Sequence, residues 1–174
     1  MAHLKETQFK PASVAVITIS DTRTKENDTS GDLIESKLRE AGHQVAFRTL
    51  IRDEKAQIRN EVELLLSAGR CQFIILTGGT GLAERDVTPE AIRPLYSKEI
   101  PGFGELFRWL SFQDIGTATI QSRAEAGLCG HAVVMALPGS TNACRLAMDQ
   151  VILPQMDNRN RPCSFRSILP DVPA

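Results

Sequence analysis

Apolar positions along this chain alternate between unbroken runs and helically spaced stripes. "SVAVITIS" (13–20) and "CQFIILTGG" (71–79) are apolar or β-branched almost throughout, the pattern of strands buried on both faces of a parallel sheet. "QVAFRTLI" (44–51) and "HAVVMALPGS" (131–140) predict two further strands, the second running into a Pro-Gly turn. Between them the spacing changes to three and four residues. "DTSGDLIESKLREAG" (28–42) predicts a helix with Leu33, Ile34 and Leu38 on its stripe, capped by Asp28, Thr29 or Ser30 and stopped by Gly42. "DEKAQIRNEVELLLSAG" (53–69) predicts another, with Ile58, Val62, Leu65 and Leu66 on one face. "TPEAIRPLY" (88–96) reads as a short helix with Thr88 as cap and Pro89 in its first turn. "IPGFGELFRWLSFQDIG" (100–116) is amphipathic behind a turn made by Pro101, Gly102 and Gly104. "SRAEAGLCG" (122–130) reads as one or two more helical turns, and "TNACRLAMDQVILPQM" (141–156) as a closing helix.

Strand, helix, strand, helix, strand is the order of right-handed βαβ units, which predicts an α/β fold with a mostly parallel sheet. The 174 residues suit one domain, and no repeat or linker divides them. The domain is expected over 13–156, after a polar N-terminal extension (1–12). A polar, proline-bearing tail (157–174) is expected over the surface or across a neighbouring subunit. In such folds ligands bind beyond the carboxyl ends of the strands. That rule gathers Ser20-Asp21, the 77–86 loop and the 137–141 turn on one edge.

Composition narrows the function classes. The net charge is −1 and no run of lysine or arginine exceeds two residues, which argues against a general affinity for nucleic acid or acidic membrane. No apolar run reaches the ~18–20 residues of a membrane span. "MAHLKETQFKP" lacks the apolar core of a secretion signal, so a cytoplasmic protein is expected. Cys71, Cys129, Cys144 and Cys163 show no C-x-x-C pairing and read as reduced thiols, two of them near buried elements. His3, His43 and His131 have no metal-ligand spacing.

The densest chemistry lies in "LTGGTGLAERDVTP" (76–89). Glycines 78, 79 and 81 let backbone N–H groups turn toward an anion at close range, and Thr77 and Thr80 add hydroxyls. A P-loop is excluded because no Gly-Lys-Ser/Thr occurs, and Glu84 stands where a dinucleotide fingerprint needs its third glycine. Glycines alone leave an anion site and a plain turn equally open. Asp86 shifts the balance, since a carboxylate beside a phosphate nest calls for a bridging cation such as magnesium. It also suits a helix cap, and Arg85 either offsets phosphate charge or holds the loop. Asp53 or Glu54 supplies a second carboxylate at the same sheet edge, although an acidic first turn stabilises any helix. Glu105 is the polar exception on an apolar helix, with Phe103, Phe107 and Trp109 read as packing. Ser122 and Arg123 suit an anion or solvent. Ser140 and Thr141 suit a phosphate or, more simply, a cap for the last helix.

Taken in order, "ISDT", "DTSG", "GHQV", "LTGGTGLAERDVTPEA", "EIPGFGELFR", "QSRAEAG" and "LPGSTNA" resemble the MoaB/MogA family of molybdenum cofactor biosynthesis, which includes the gephyrin G domain. The resemblance spans nearly the whole domain. It implies a molybdopterin-binding fold, a three-layer sandwich with helices on both sides of the sheet. It implies adenylylation of molybdopterin's terminal phosphate by Mg-ATP, with release of pyrophosphate, before a partner protein inserts the metal. Asp86 and Asp53 match the family's two functional aspartates, as catalytic residues and magnesium ligands. Thr77, Gly78, Gly79, Thr80 and Gly81 would hold nucleotide phosphates. Ser20, Asp21, Glu105, Ser122, Arg123, Pro138, Gly139 and Ser140 would line the pterin or nucleotide pocket. The ending "PQMDNRNRPCSFRSILP" is closer to the MoaB branch, in which some members lack the carboxylates and have no clear catalytic role. A binding or scaffold protein of the same pathway is therefore the alternative, and a related pyrophosphatase-type domain a third reading. A homo-oligomer, trimer or hexamer, is expected from the same resemblance.

Overall fold

A computed structural model of the protein describes residues 8–172. Residues 1–7 of the expected N-terminal extension, His3 among them, and the last two of the tail lie outside the described residues. In chain order the elements are β1 (Ser13–Ile19), α1 (Thr29–Glu40), β2 (Gln44–Ile51), α2 (Lys55–Ala68), β3 (Phe73–Thr77), α3 (Thr88–Ile92) and β4 (Lys98–Glu99). They continue with α4 (Pro101–Ile115), β5 (Glu125–Cys129), β6 (Ala132–Leu137), α5 (Thr141–Ala147), α6 (Leu153–Met156) and α7 (Phe165–Ile168). One six-stranded sheet has the order β2-β1-β3-β6-β5-β4. The first four run parallel, and β5 is antiparallel to both its neighbours.

Alternation along β1 builds both cores. Val14 and Val16 pack with Ile34 and Leu38 of α1, Phe103 and Phe107 of α4, and Cys144 and Ala147 of α5. Ala15, Ile17 and Ile19 pack on the opposite face with Ile58 and Val62 of α2 and Ala91 and Ile92 of α3. The result is the three-layer α/β sandwich expected. Its β1–β2 and β1–β3 pairings extend to opposite sides of β1, which leaves the strand ends splayed at the edge where ligands bind in this class.

Four local readings are corrected. "SRAEAGLCG" is not helical: Glu125–Cys129 pairs with β6 across its full length, so sheet pairing overrides the helix preference of Ala and Glu. The PGFG segment is not a turn before a helix. Pro101 opens α4 itself, where its missing N–H leaves no bond unmade. Thr88 does not cap α3; Val87 holds that position, and the Thr88 hydroxyl donates to Gly78 O at 2.9 Å instead. The closing helix is interrupted by a π turn over Met148–Ile152, where the Leu153 N–H reaches Met148 O. Pro154 follows directly, and a widened turn accommodates its ring and missing donor.

The tail packs on this same chain. Leu169 and Phe165 join the α1/α4/α5 core, and buried Arg166 donates to Asp171 at 2.6 Å and to Pro11 O at 3.4 Å. Cys71, Cys129 and Cys144 are buried free thiols, one more than expected, and Cys163 is an exposed one. Among the described residues no helix is long and apolar enough to cross a membrane.

Candidate functional site

The carboxyl ends of β1, β3 and β6 and the residue two past β2 surround a cavity of about 570 Å³. Ser20, Asp21, Asp53, residues 77–81, Asp86, Ser122 and residues 138–140 all line it. The glycines have individual causes. Gly78 sits at φ +111, and a Cβ there would lie 2.1 Å from Ile19 O. Gly79 sits at φ +64, with the equivalent distance 2.3 Å to Thr88 Oγ1 and 2.7 Å to Asp53 Oδ1. Only glycine lets the loop pass this close between β1, α3 and Asp53.

The loop's carbonyls are held from outside the cavity. Gly78 O accepts from the Thr88 hydroxyl and Gly79 O from the Thr88 N–H at 3.0 Å. Thr80 O and Gly81 O accept from Arg123 Nε at 3.3 and 2.8 Å, and Asp86 O from Arg123 Nη2 at 2.6 Å. A trans peptide sets each N–H opposite the preceding carbonyl, so the N–H groups of Gly79, Thr80 and Gly81, which line the cavity, point away from Thr88 and Arg123, which do not. None of the three donates to any group among the described residues. Such a row is a nest for an anion. The Thr77 hydroxyl is directed to the neighbouring turn, while the Ser20 and Ser140 oxygens act as acceptors. Thr77 Oγ1 donates to Pro138 O at 3.0 Å, Ser20 Oγ accepts from the Thr22 and Arg23 N–H groups, and Ser140 Oγ caps α5 through the Ala143 N–H.

Three carboxylates face this nest. Asp53 Oδ1 accepts from the Val87 N–H at 3.4 Å, Asp21 Oδ1 from the Asp53 N–H at 3.2 Å, and Asp86 Oδ2 from the Ala83 N–H at 3.0 Å. None is in an ion pair among the described residues. Burial raises the Asp53 pKa, the charges of Asp86 and Asp21 raise it further, and the Val87 N–H and Arg85 oppose them. Mutually repelling carboxylates that make no direct ion pair suit a divalent cation. No group of three or more His, Cys, Asp or Glu among the described residues is arranged to hold a metal alone. A divalent cation held here would need further ligands beyond these side chains.

Two expected pocket residues stand elsewhere. Glu105 is exposed and borders a separate groove. Arg123 borders that groove too and reaches the loop only from behind. Other residues escaped the sequence reading. Arg23 lines the cavity, its guanidinium pinned by Ser30 Oγ at 2.7 Å and Gly139 O at 3.0 Å. Phe107, Ser111 and Ile115 of α4 form a largely apolar wall. Beside Arg23, Asp28, 2% exposed, accepts from Thr18 Oγ1 at 2.7 Å and from Arg48 at 3.0 Å. Burial pushes its carboxyl up, but Thr18, the Gly31 N–H and Arg48 outweigh that and hold it below the ordinary range. The signal for Arg23 was the "DTSG" cap: the helix it starts carries Ser30, which orients the guanidinium.

Residues 15–158 match the family described as "Probable molybdopterin binding domain". Molybdenum cofactor biosynthesis protein B of Escherichia coli K12 is 45% identical over 159 residues, covering 91% of this chain and 94% of its own length. The protein of that name from Bacillus subtilis is 51% identical over 142 residues, covering 81% and 84%. A crystal structure of a molybdenum cofactor biosynthesis protein B superposes with a TM-score of 0.82 at 44% identity, covering 84% of this chain and 92% of that one.

Proposed function

This chain belongs to the molybdenum cofactor biosynthesis protein B family and carries its molybdopterin-binding domain, and from that premise we propose that it adenylylates the terminal phosphate of molybdopterin with Mg-ATP. One observation carries the reading: an anion-receiving row of N–H groups and unpaired carboxylates meet in one cavity. In the reaction a terminal phosphate oxygen of molybdopterin attacks the α-phosphorus of ATP. The bond from that phosphorus to the bridging oxygen breaks, and pyrophosphate leaves with the electron pair. Such transfers need positioning and charge neutralisation more than a protein nucleophile. Gly79, Thr80 and Gly81 hold phosphoryl oxygens through their N–H groups, and the Phe107–Ile115 wall receives a flat ring. Asp53 and Asp86 hold magnesium, which when bound offsets the phosphate charge facing them. Arg23 and Arg85 add positive charge at the rim.

The buried free thiols Cys71, Cys129 and Cys144 suit a reducing, cytoplasmic setting. Leu106, Trp109, Phe112 and Ile115 of α4, with Ile120, expose a broad apolar face, which favours self-association into a trimer or hexamer. A metal-insertion protein is the partner to which the adenylylated product passes.

A binding-only role is the second reading. It draws on Asp86, whose Oδ2 is engaged by its own loop at the Ala83 N–H. Incubation with molybdopterin and Mg-ATP separates the two. Adenylylated molybdopterin with equimolar pyrophosphate is expected; tight molybdopterin binding without product would leave only the scaffold. Asp86→Asn is expected to lower the product rate at least ~100-fold while retaining pterin binding; near-normal turnover would remove the assigned role.

A further inference from the structure

Arg123 contacts the glycine loop at three carbonyls drawn from both of its ends, yet it does not line the cavity. Its third nitrogen pairs with Glu90 of α3, and the side chain is 23% exposed. We propose that Arg123 is a positioning residue, which completes the anion-receiving N–H row from behind, by fixing its last member, the Gly81 N–H, and the closure of the loop, before any ligand arrives. It rests on the nucleotide reading only for the identity of the anion.

The physical case has three parts. First, a loop rich in glycine has the most backbone freedom to lose, so its N–H groups converge only if something outside fixes the peptide planes. Thr88 fixes the planes that carry the Gly79 and Thr80 N–H groups; Arg123 fixes the plane that carries the Gly81 N–H, holds the next carbonyl, Gly81 O, and closes the loop at Asp86. Second, the guanidinium is a rigid planar fork, so acceptors spread over two sides are met at once. A lysine ammonium is a point donor on a flexible stem and does not span them. Third, the charge acts through the peptides. With Thr80 O on the guanidinium, the N–H end of that dipole, at Gly81, presents positive potential to the cavity that Gly81 lines. Arg123 thereby strengthens anion binding without touching the anion, and Glu90 keeps the fork in register.

Amide hydrogen exchange on the ligand-free protein tests this without reference to catalysis. In Arg123→Lys and Arg123→Gln the 78–87 segment is expected to exchange ~10-fold faster or more, while Phe73–Thr77 is unchanged as the control for folding. Glu90→Gln, which loosens the fork without removing it, is expected to give a smaller rise in the same segment. Affinity for Mg-ATP and for inorganic pyrophosphate is expected to fall ~10–100-fold in the two Arg123 variants, with thermal midpoints within a few degrees of the parent. Millimolar guanidinium, but not ammonium, is expected to restore loop protection and affinity to Arg123→Ala. Loop exchange in free Arg123→Lys equal to that of the parent would overturn the proposal. Unchanged pyrophosphate affinity despite faster exchange would overturn it as well. A parent protein that binds pyrophosphate but not ATP would instead fail the nucleotide reading, leaving the exchange result to decide on Arg123.

Discussion

Asp53 shows how a carboxylate can be placed in a cavity at the expense of stability. Its pKa is raised by burial first and by the charges of Asp86 and Asp21 next. A carboxyl whose folded pKa exceeds its unfolded value near 3.8 favours the fold most at low pH. That contribution is lost as pH rises through the folded pKa, so at neutral pH the ionised group works against folding. Asp53→Asn keeps the acceptor for the Val87 N–H and removes the charge. Its thermal midpoint at pH 7 is expected to equal that of the parent or exceed it by about 1–3 °C, a range kept small because the group is partly exposed to screening solvent. Adenylylation is expected to fall at least ~100-fold; a clear drop in midpoint would contradict the repulsion. At this scale the sequence was legible where a residue's type restricts its use. Asp53, Asp86 and the glycines stand together as the motifs suggested. Arg123 and Glu105 were not legible, because a long charged side chain can reach several places from one backbone position and only packing chooses among them.

Among the elements, long runs and strong caps were readable: β2 spans the expected 44–51, and Asp28 caps α1 by accepting from the Gly31 N–H. β5 was not, since its five residues include Ala, Glu and Gly and its strand state comes from pairing with β6. The turn from β3 into the glycine loop is set by contact rather than propensity. Gly78 donates to Leu137 O while its α-carbon lies against the end of β1. Gly78→Ala combines a positive φ with a Cβ 2.1 Å from a backbone oxygen. It is expected to cost at least ~2 kcal/mol and to lower the thermal midpoint by roughly 4 °C or more. Calorimetry checks this, and a neutral result would mean that β1 and β3 separate easily at their carboxyl ends.

For the whole molecule, two ends of the chain meet near His43, which is 6% exposed. Its Nδ1 accepts from the Ala12 N–H at 3.1 Å, a bond that needs the neutral ring. Burial lowers the pKa, Asp157 opposes that, and Arg166 adds to it. The unfolded chain therefore takes up the proton first, and stability is lost as pH falls below about 6.5 toward the folded pKa. Denaturant midpoints at pH 7.5 and 5.5 are expected to separate more in the parent than in His43→Asn, which keeps the acceptor without the titration. Trp109 is 63% exposed amid the apolar α4 face. Trp109→Glu is expected to shift the mass seen by light scattering from oligomer to monomer; a parent that is already monomeric would leave that face unexplained. The cavity itself is assembled from four strand ends, and under the proposed reading its carboxylates repel phosphate unless magnesium stands between. Calorimetric titration of ATP with and without magnesium tests this most directly. The parent is expected to bind at least ~10-fold tighter with magnesium, and Asp53→Asn/Asp86→Asn to lose that dependence while binding magnesium-free ATP as well or better. Equal affinity in the parent with and without the ion, or an undiminished magnesium effect in the double variant, would contradict the account.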